Sequence, residues 1–453
     1  MKAYPNYSMT PLPWLPNIPA HWELVRNKNI FEEVKDVIGN NTNAYPLLSL
    51  TTRGIILRDV ASGKGKFPKD FNTYKIVKPG DMAFCLFDID ETPRTVGLSQ
   101  YNGMLTGAYT IFHVANINPH YAYYYYLSLD NVKAMRPLYS GLRKTINTGT
   151  FLSCKLPLPP RPEQDQIVRF LDWKVSCINR LISIKRKQIA LLHERQRVYI
   201  SHIVTHGLHD DISTKDSGVE WIGDIPEHWQ TMRCKYLFSE RDERSKEGTE
   251  QHLSMSQKYG LVPDSQLDER RMLSESYVGG KLCYKDDLVL NRLKAHLGVF
   301  ALAPQSGVIS PDYTVLMPNT EIILPSFAET VLKSVRCRGE LRIRVRGIIE
   351  GFWRLYTADF NTIVLPVPPL DEQVGIMKYI VEFRGKAKKY ENMLTQEISG
   401  LQELKTRLIS DVVTGKIDVR DIEVPDFEYV QETGDSSNGD NKDMGDASEK
   451  GEE

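Results

Sequence analysis

No two of the six cysteines, Cys85, Cys154, Cys177, Cys234, Cys283 and Cys337, stand in C-x-x-C spacing. That scatter speaks against a zinc module, which needs clustered thiolates, and fits a reducing compartment better than a disulfide framework. The cytoplasm is the expected location. No apolar run reaches the ~18 residues of a membrane helix, and Met1 to Pro19 lack the apolar core of a signal peptide. Catalytic signatures are missing as well. Residues 62–67, SGKGKF, come nearest to a phosphate-binding loop, but they lack the upstream glycine spacing and the hydroxyl residue after lysine that would hold magnesium. Neither H-E-x-x-H nor G-x-S-x-G occurs. His21 and His228 each stand beside a tryptophan without a partner set, and read as packed scaffold residues rather than bases.

What is present is a chain of 453 residues, 41 % of them apolar, too long for one ordinary core. The formal charge of -1 is unevenly spread: residues 421–453 hold twelve Asp and Glu against two Lys, a net of -10, which leaves +9 for residues 1–420. The last stretch is expected to be a disordered acidic tail. A basic folded portion permits polyanion binding without identifying it.

The chain contains itself twice. Residues 14–26, WLPNIPAHWELVR, return as 221–233, WIGDIPEHWQTMR, and residues 156–164, LPLPPRPEQ, return as 365–373, LPVPPLDEQ. Between these anchors the halves share little, so a common scaffold carries two dissimilar bodies. Each L-P-x-P-P-x-x-E-Q element opens a long helical stretch, with Pro160 or Pro369 before it and Glu163 or Glu372 near its positive end.

Along the first stretch Leu171, Val175, Ile178, Ile182, Lys185, Ile189, Leu192, Gln196, Tyr199 and Ile203 step by fours and threes. Along the second the same steps fall on Ile380, Arg384, Ala387, Glu391, Leu394, Ile398, Leu401, Lys405, Leu408 and Val412. This is a coiled-coil seam. Helices of roughly 40 residues span about 60 Å at 1.5 Å per residue, matching about 18 base pairs. A zipper between two copies of the chain would bury such a seam; an internal two-fold between the repeats favours pairing of the two helices with each other, antiparallel.

The bodies, about 40–155 and 245–360, mix β-rich runs with one short helix each, at 118–129 and 323–334. Tyr123 to Tyr126 invite a base-stacking account, but four consecutive residues on a helix point all round it, so core packing explains them better. Basic residues are more telling. Arg53, Arg58, Lys64, Lys66 and Lys69 fall in a glycine-containing looped region, and Arg143 and Lys144 follow Gly141. In the second body Arg342, Arg344 and Arg346 alternate with Leu341, Ile343 and Val345, which in an extended strand would give one basic and one apolar face. Arginine's fork suits phosphate and guanine alike; a solvated edge strand is the competing account.

Taken in this order, the duplicated W-x-x-x-I-P-x-H-W openings, the L-P-x-P-P-x-x-E-Q elements and the long helices resemble the specificity subunit of type I restriction–modification enzymes. The resemblance covers residues 14–420. It implies a mixed α/β tandem duplication: two α+β target recognition domains joined by two long helices in an antiparallel intramolecular coiled coil. The implied boundaries are an extension at 1–13, recognition domains at 14–157 and 211–366, helical conserved regions at 158–210 and 367–420, and the tail at 421–453.

The resemblance further implies a non-catalytic chain that binds a bipartite, asymmetric site in double-stranded DNA. Its partners would be two adenine methyltransferase subunits using S-adenosylmethionine and two restriction/translocase subunits using ATP and Mg, with no cofactor or metal on this chain. The absence of N-P-P-F/Y and D-P-P-Y agrees with that division. The family's glycine-arginine pattern is matched by Gly141, Arg143, Ile146 and Phe151. In the second half Leu355 and Phe360 match Ile146 and Phe151, but Phe352 stands in the place of Arg143, with Arg354 displaced by two. A protein-binding adaptor and a self-sufficient restriction enzyme are the competing classes; the second has no room for its catalytic motifs.

Overall fold

A computed structural model describes residues 2–39, 44–58, 71–141, 144–209, 211–256, 259–266, 277–347 and 353–432. The chain forms two compact units, one from residues 1–187 and 394–453 and the other from residues 188–393. Its helices are α1 (Pro119–Asn131), α2 (Thr148–Ser153), α3 (Arg161–His206), α4 (Cys234–Leu237), α5 (Pro325–Lys333), α6 (Val335–Arg344), α7 (Thr357–Phe360) and α8 (Leu370–Val413).

In the first unit a four-stranded antiparallel sheet runs in the order Phe31–Val34, Thr110–Val114, Met82–Phe84, Val96–Leu98. The second unit repeats that order with Phe238–Arg241, Tyr313–Pro318, Leu288–Asn291 and Phe300–Leu302. The bodies are therefore copies in topology although their sequences have diverged. Each anchor pair also closes on itself: Lys155–Leu158 pairs with Glu23–Arg26, and Val364–Val367 with Gln230–Arg233.

Short helices pack beneath the sheets. Pro119 and Pro325 open α1 and α5 at positions where a missing N–H costs nothing, and the Asn118 side chain caps α1 by accepting from His120 N at 2.9 Å. Tyr121, Tyr125 and Tyr126 of α1 are fully buried, as core packing requires. The Tyr121 hydroxyl donates to Pro157 O at 2.9 Å and the Tyr124 hydroxyl to Asp172 at 2.7 Å, and burial pushes both phenols well above their ordinary range. Phe31, Phe84, Phe112, Tyr126 and Phe151 form an aromatic cluster around them, with Phe84 and Phe151 ring centres 4.8 Å apart.

The two long helices run antiparallel in each unit. In the first, Lys185 pairs with Glu397 and Lys405 Nζ donates to Asn179 Oδ1 at 3.3 Å; in the second, His193 lies 3.5 Å from Glu391 and Tyr199 packs on Phe383 with ring centres 5.0 Å apart. The rising number on one helix meets the falling number on the other throughout. Leu171, Val175, Ile178, Ile182 and Ile203 are buried on α3, and Ile380, Leu394, Leu408 and Val412 on α8. Ile189 and Leu192 in the second unit, and Ile398 and Leu401 in the first, are half-buried.

One expectation fails at the C-terminus. Residues 421–432 are not a loose tail: Val424 is buried in the first unit's core, and Ile422 and Phe427 pack against it. Residues 433–453 lie outside the described residues.

Candidate nucleic-acid interface

The repeated motif residues set the position of each body. Glu163, at the first turn of α3, is buried and takes three donors: the Tyr4 hydroxyl at 2.6 Å and Trp22 Nε1 at 3.0 Å on one oxygen, and His21 Nε2 at 2.8 Å on the other. Burial, reinforced by the Glu163 hydrogen bond and charge, holds the Tyr4 phenol far above its usual pKa, which keeps it a donor. Glu372 repeats the clamp on α8, accepting from His228 Nε2 at 2.8 Å and Trp229 Nε1 at 3.1 Å. The glutamines that follow hold the bodies' helices. Gln164 accepts from Asn118 N at 2.9 Å and donates to Pro159 O at 2.8 Å; Gln373 accepts from Leu324 N at 2.7 Å and donates to Pro368 O at 2.8 Å.

Both histidines are thus scaffold groups. The cluster His252, Asp264 and Ser254 has the residue types of a hydrolase triad without its geometry, because histidine and serine both bond to the carboxylate and not to each other. Burial raises the Cys234 and Cys337 thiols, which disfavours thiolate nucleophiles.

The basic residues differ in how the structure places them. Arg53 is exposed at the turn between strands Leu48–Thr51 and Gly54–Leu57, and Arg58 follows that hairpin, with its N–H bonded to Leu47 O at 2.9 Å. Lys64, Lys66, Lys69 and Arg143 lie outside the described residues. Lys144 pairs with Asp90 at 3.1 Å, and this bond, ahead of Arg136 and Tyr139, holds the Asp90 carboxyl below its usual range.

In the second body the alternating segment is not a strand. Residues Val335–Arg344 form α6, started by Ser334, whose hydroxyl accepts from Cys337 N at 3.3 Å. Helical spacing buries Cys337 and Leu341 four residues apart and leaves Ile343 74 % exposed; the expected basic and apolar faces therefore do not exist. Arg344 is committed to Glu340 and to the Thr362 hydroxyl at 3.2 Å, and Arg346 to Asp359. Arg342 stays exposed on α6.

A matched hairpin emerges in each body. Ser140 and Thr145 bridge in the first, Arg346 and Arg354 in the second. Each is followed by the same anchor: Ile146 N donates to Leu86 O at 2.8 Å, Leu355 N to Arg292 O at 3.0 Å, and Phe151 and Phe360 are buried beyond. Arg143 and Phe352 lie outside the described residues. Arg354, displaced by two in sequence, is thus brought beside Arg346 with an exposed side chain, a pairing that no sequence signal revealed.

Each unit thus holds one α+β body fastened by a tryptophan–glutamate bond to the start of its long helix. Residues 21–191 match the family model described as type I restriction modification DNA specificity domain. Among known proteins, the chain is 24 % identical over 438 residues to the putative type I restriction enzyme MjaX specificity subunit of Methanocaldococcus jannaschii, covering 89 % of this chain and 95 % of that one. It is 23 % identical over 296 residues to the type I restriction enzyme MjaVIII specificity subunit of the same organism, 61 % of this chain and 65 % of that one. The fold resembles, at a TM-score of 0.58 and 12 % identity, a chain solved in work on complex assembly and conformational transition of the type I R-M system, covering 88 % of this chain and 99 % of the other. Residues 21–191 thus carry the type I specificity domain, and over most of its length the chain is similar to type I restriction enzyme specificity subunits. No described helix is long and apolar enough to cross a membrane.

Proposed function

We propose that this chain reads a bipartite, asymmetric site in duplex DNA, one part through each body, and positions adenine methyltransferase and restriction/translocase subunits on it. The observation that carries the reading is the contrast between the clamps and the bodies. Glu163–Trp22 and Glu372–Trp229 repeat almost bond for bond, and the sheets repeat strand for strand, while the surface sequences differ. A shared mount with unlike faces suits two readers of two half-sites. The exposed Arg53, Arg342 and Arg354 supply phosphate or base contacts. Methyl transfer with S-adenosylmethionine, and ATP- and Mg-dependent translocation and cleavage, fall to two copies each of the partner subunits.

The test is exchange of Ala44–Lys155 for the matching segment of another chain with the same anchors, followed by long-read mapping of methylated sites in the assembled enzyme. One half of the recognised sequence should change while the other half stays. Simultaneous change of both halves, or a native site with no gap, would overturn the reading.

A further inference from the structure

The duplication gives the start of α3 a counterpart at the start of α8, and the two are covered differently. In the first unit, residues Asp418–Glu432 run alongside α3 in the same direction. Gln166 donates to Val419 O at 3.0 Å, Arg169 to Val424 O at 3.1 Å and Asn179 to Val430 O at 2.8 Å, while Ser176 Oγ accepts from Val430 N at 3.1 Å. Val419 and Val424 enter the core. The strap is acidic: Glu428 pairs with Arg180 at 3.0 Å and Glu432 with Lys405.

The shift of 209 that carries Glu163 onto Glu372 carries Gln166, Arg169, Ser176, Asn179 and Arg180 onto Gly375, Lys378, Gly385, Lys388 and Lys389. In the second unit all five are exposed, with Val374 and Val381 beside them at 55 % and 63 %. Val374, Lys378, Val381, Gly385 and Lys388 recur by fours and threes and so make one stripe. A Cβ placed on either glycine would meet nothing within 4 Å, so an incoming backbone could lie close to the helix there. The chain that leaves α3 enters the hairpin of Thr214–Asp216 with Asp224–Pro226.

We propose that this stripe of α8 docks an extended acidic segment of a partner protein, as α3 docks the strap. Lys378 and Lys388 stand where Arg169 and Asn179 donate to strap carbonyls. With Lys389 they supply positive charge for carboxylates, and Val374 and Val381 supply apolar contact. Lys388 meanwhile pairs with Glu391 at 3.1 Å on the same exposed face, a contact a peptide carboxylate can replace. The inference is independent of the DNA reading.

The probe is a fluorescent peptide of this chain's own Asp421–Glu432, titrated into the full chain and followed by anisotropy. Tethering holds the native strap at an effective concentration of order millimolar, so the free peptide should fill the open stripe. Saturable binding of one peptide per chain is expected, weakened at least about tenfold by Val381→Glu or by Lys378→Glu with Lys388→Glu, a loss of roughly 1.4 kcal/mol. A photo-crosslinker in place of Phe427 should label α8 between 374 and 389. Absent saturation, binding indifferent to those exposed substitutions, or labelling of α3 between 161 and 180 would overturn the proposal. So would self-association of the full chain that Val381→Glu abolishes, since that would assign the stripe to a second copy.

Discussion

Glu163 accepts the indole N–H of Trp22 at 3.0 Å across 141 positions of sequence, and Glu372 makes the same bond to Trp229 at 3.1 Å. These are unequal copies. The first is buried and also holds Tyr4; the Glu372 side chain is 25 % exposed and, among the described residues, holds no tyrosine. Glu163→Ala would strand two buried donors, the Tyr4 hydroxyl and the Trp22 indole, each costing about 1–3 kcal/mol, whereas Glu372→Ala strands one, the Trp229 indole, its His228 partner being 47 % exposed. Urea unfolding should show the larger loss for Glu163→Ala, with Glu163→Gln milder because it keeps an acceptor. Equal losses at the two sites would contradict the asymmetry.

Two glycines that follow the long helices extend the same comparison. Gly415 and Gly207 both have positive φ, +74° and +85°, which costs an L side chain about 1 kcal/mol. A Cβ on Gly415 would lie 2.4 Å from Pro19 Cδ, whereas one on Gly207 would lie 3.4 Å from its nearest neighbours, Glu372 Oε1 and Trp229 Cζ2. Gly415→Ala should therefore lower the melting temperature well beyond the backbone penalty, and Gly207→Ala by little more than that penalty. Differential scanning calorimetry on both variants checks the order.

The second body's arginines should separate into two behaviours. Arg344 and Arg346 hold Glu340 and Asp359, while Arg342 is exposed. Arg342→Ala in the assembled complex should leave stability unchanged and weaken DNA binding. If Arg342 contacts phosphate, all sequences weaken together and the slope of log K against log salt falls by about one; if it reads a base, discrimination drops by about 1–3 kcal/mol at one position. Unchanged affinity and slope would remove Arg342 from the interface.

How much of this was legible in the sequence depends on where each residue's partner lies. The helix pair was readable because Leu171 through Ile203 carry their period locally. The arginine segment was misread because alternation over six residues does not exclude a helix; the deciding facts were the Ser334 cap and the four-residue spacing of Cys337 and Leu341, both available in sequence but outweighed by the alternation. Glu163 was placed correctly at the positive end of a helix, yet its chief role is to accept from Trp22, and nothing local signals a partner 141 residues away. The common sheet order of the two bodies was hidden because strand packing preserves polarity pattern and not residue identity.

The strap misled for a physical reason that also sets the last prediction. Composition marks residues 421–453 as one acidic stretch, but Val424, Ile422 and Phe427 lie within its first part and pack on the first core. Side chains of Gln166, Arg169, Ser176 and Asn179 hold the backbone of residues 419–430, and Lys405 pairs with Glu432. Acidity and order therefore coexist up to Glu432. Ending the chain after Glu432 removes no described contact and should leave the unfolding midpoint and site selection as they are. Ending it after Arg420 exposes the surface that Val424 covers and deprives the Asn179 amide of the carbonyl of Val430. Burial of one valine contributes about 1.5–3 kcal/mol, and further hydrogen bonds and the Phe427 contact are lost with it. The chain ended at Arg420 should thus be destabilised in its first unit by several kcal/mol and show increased hydrogen exchange at 166–180 on α3, with no change at the quasi-equivalent 375–389 on α8. Equal exchange in the two truncations would show that the strap rests on α3 without supporting it.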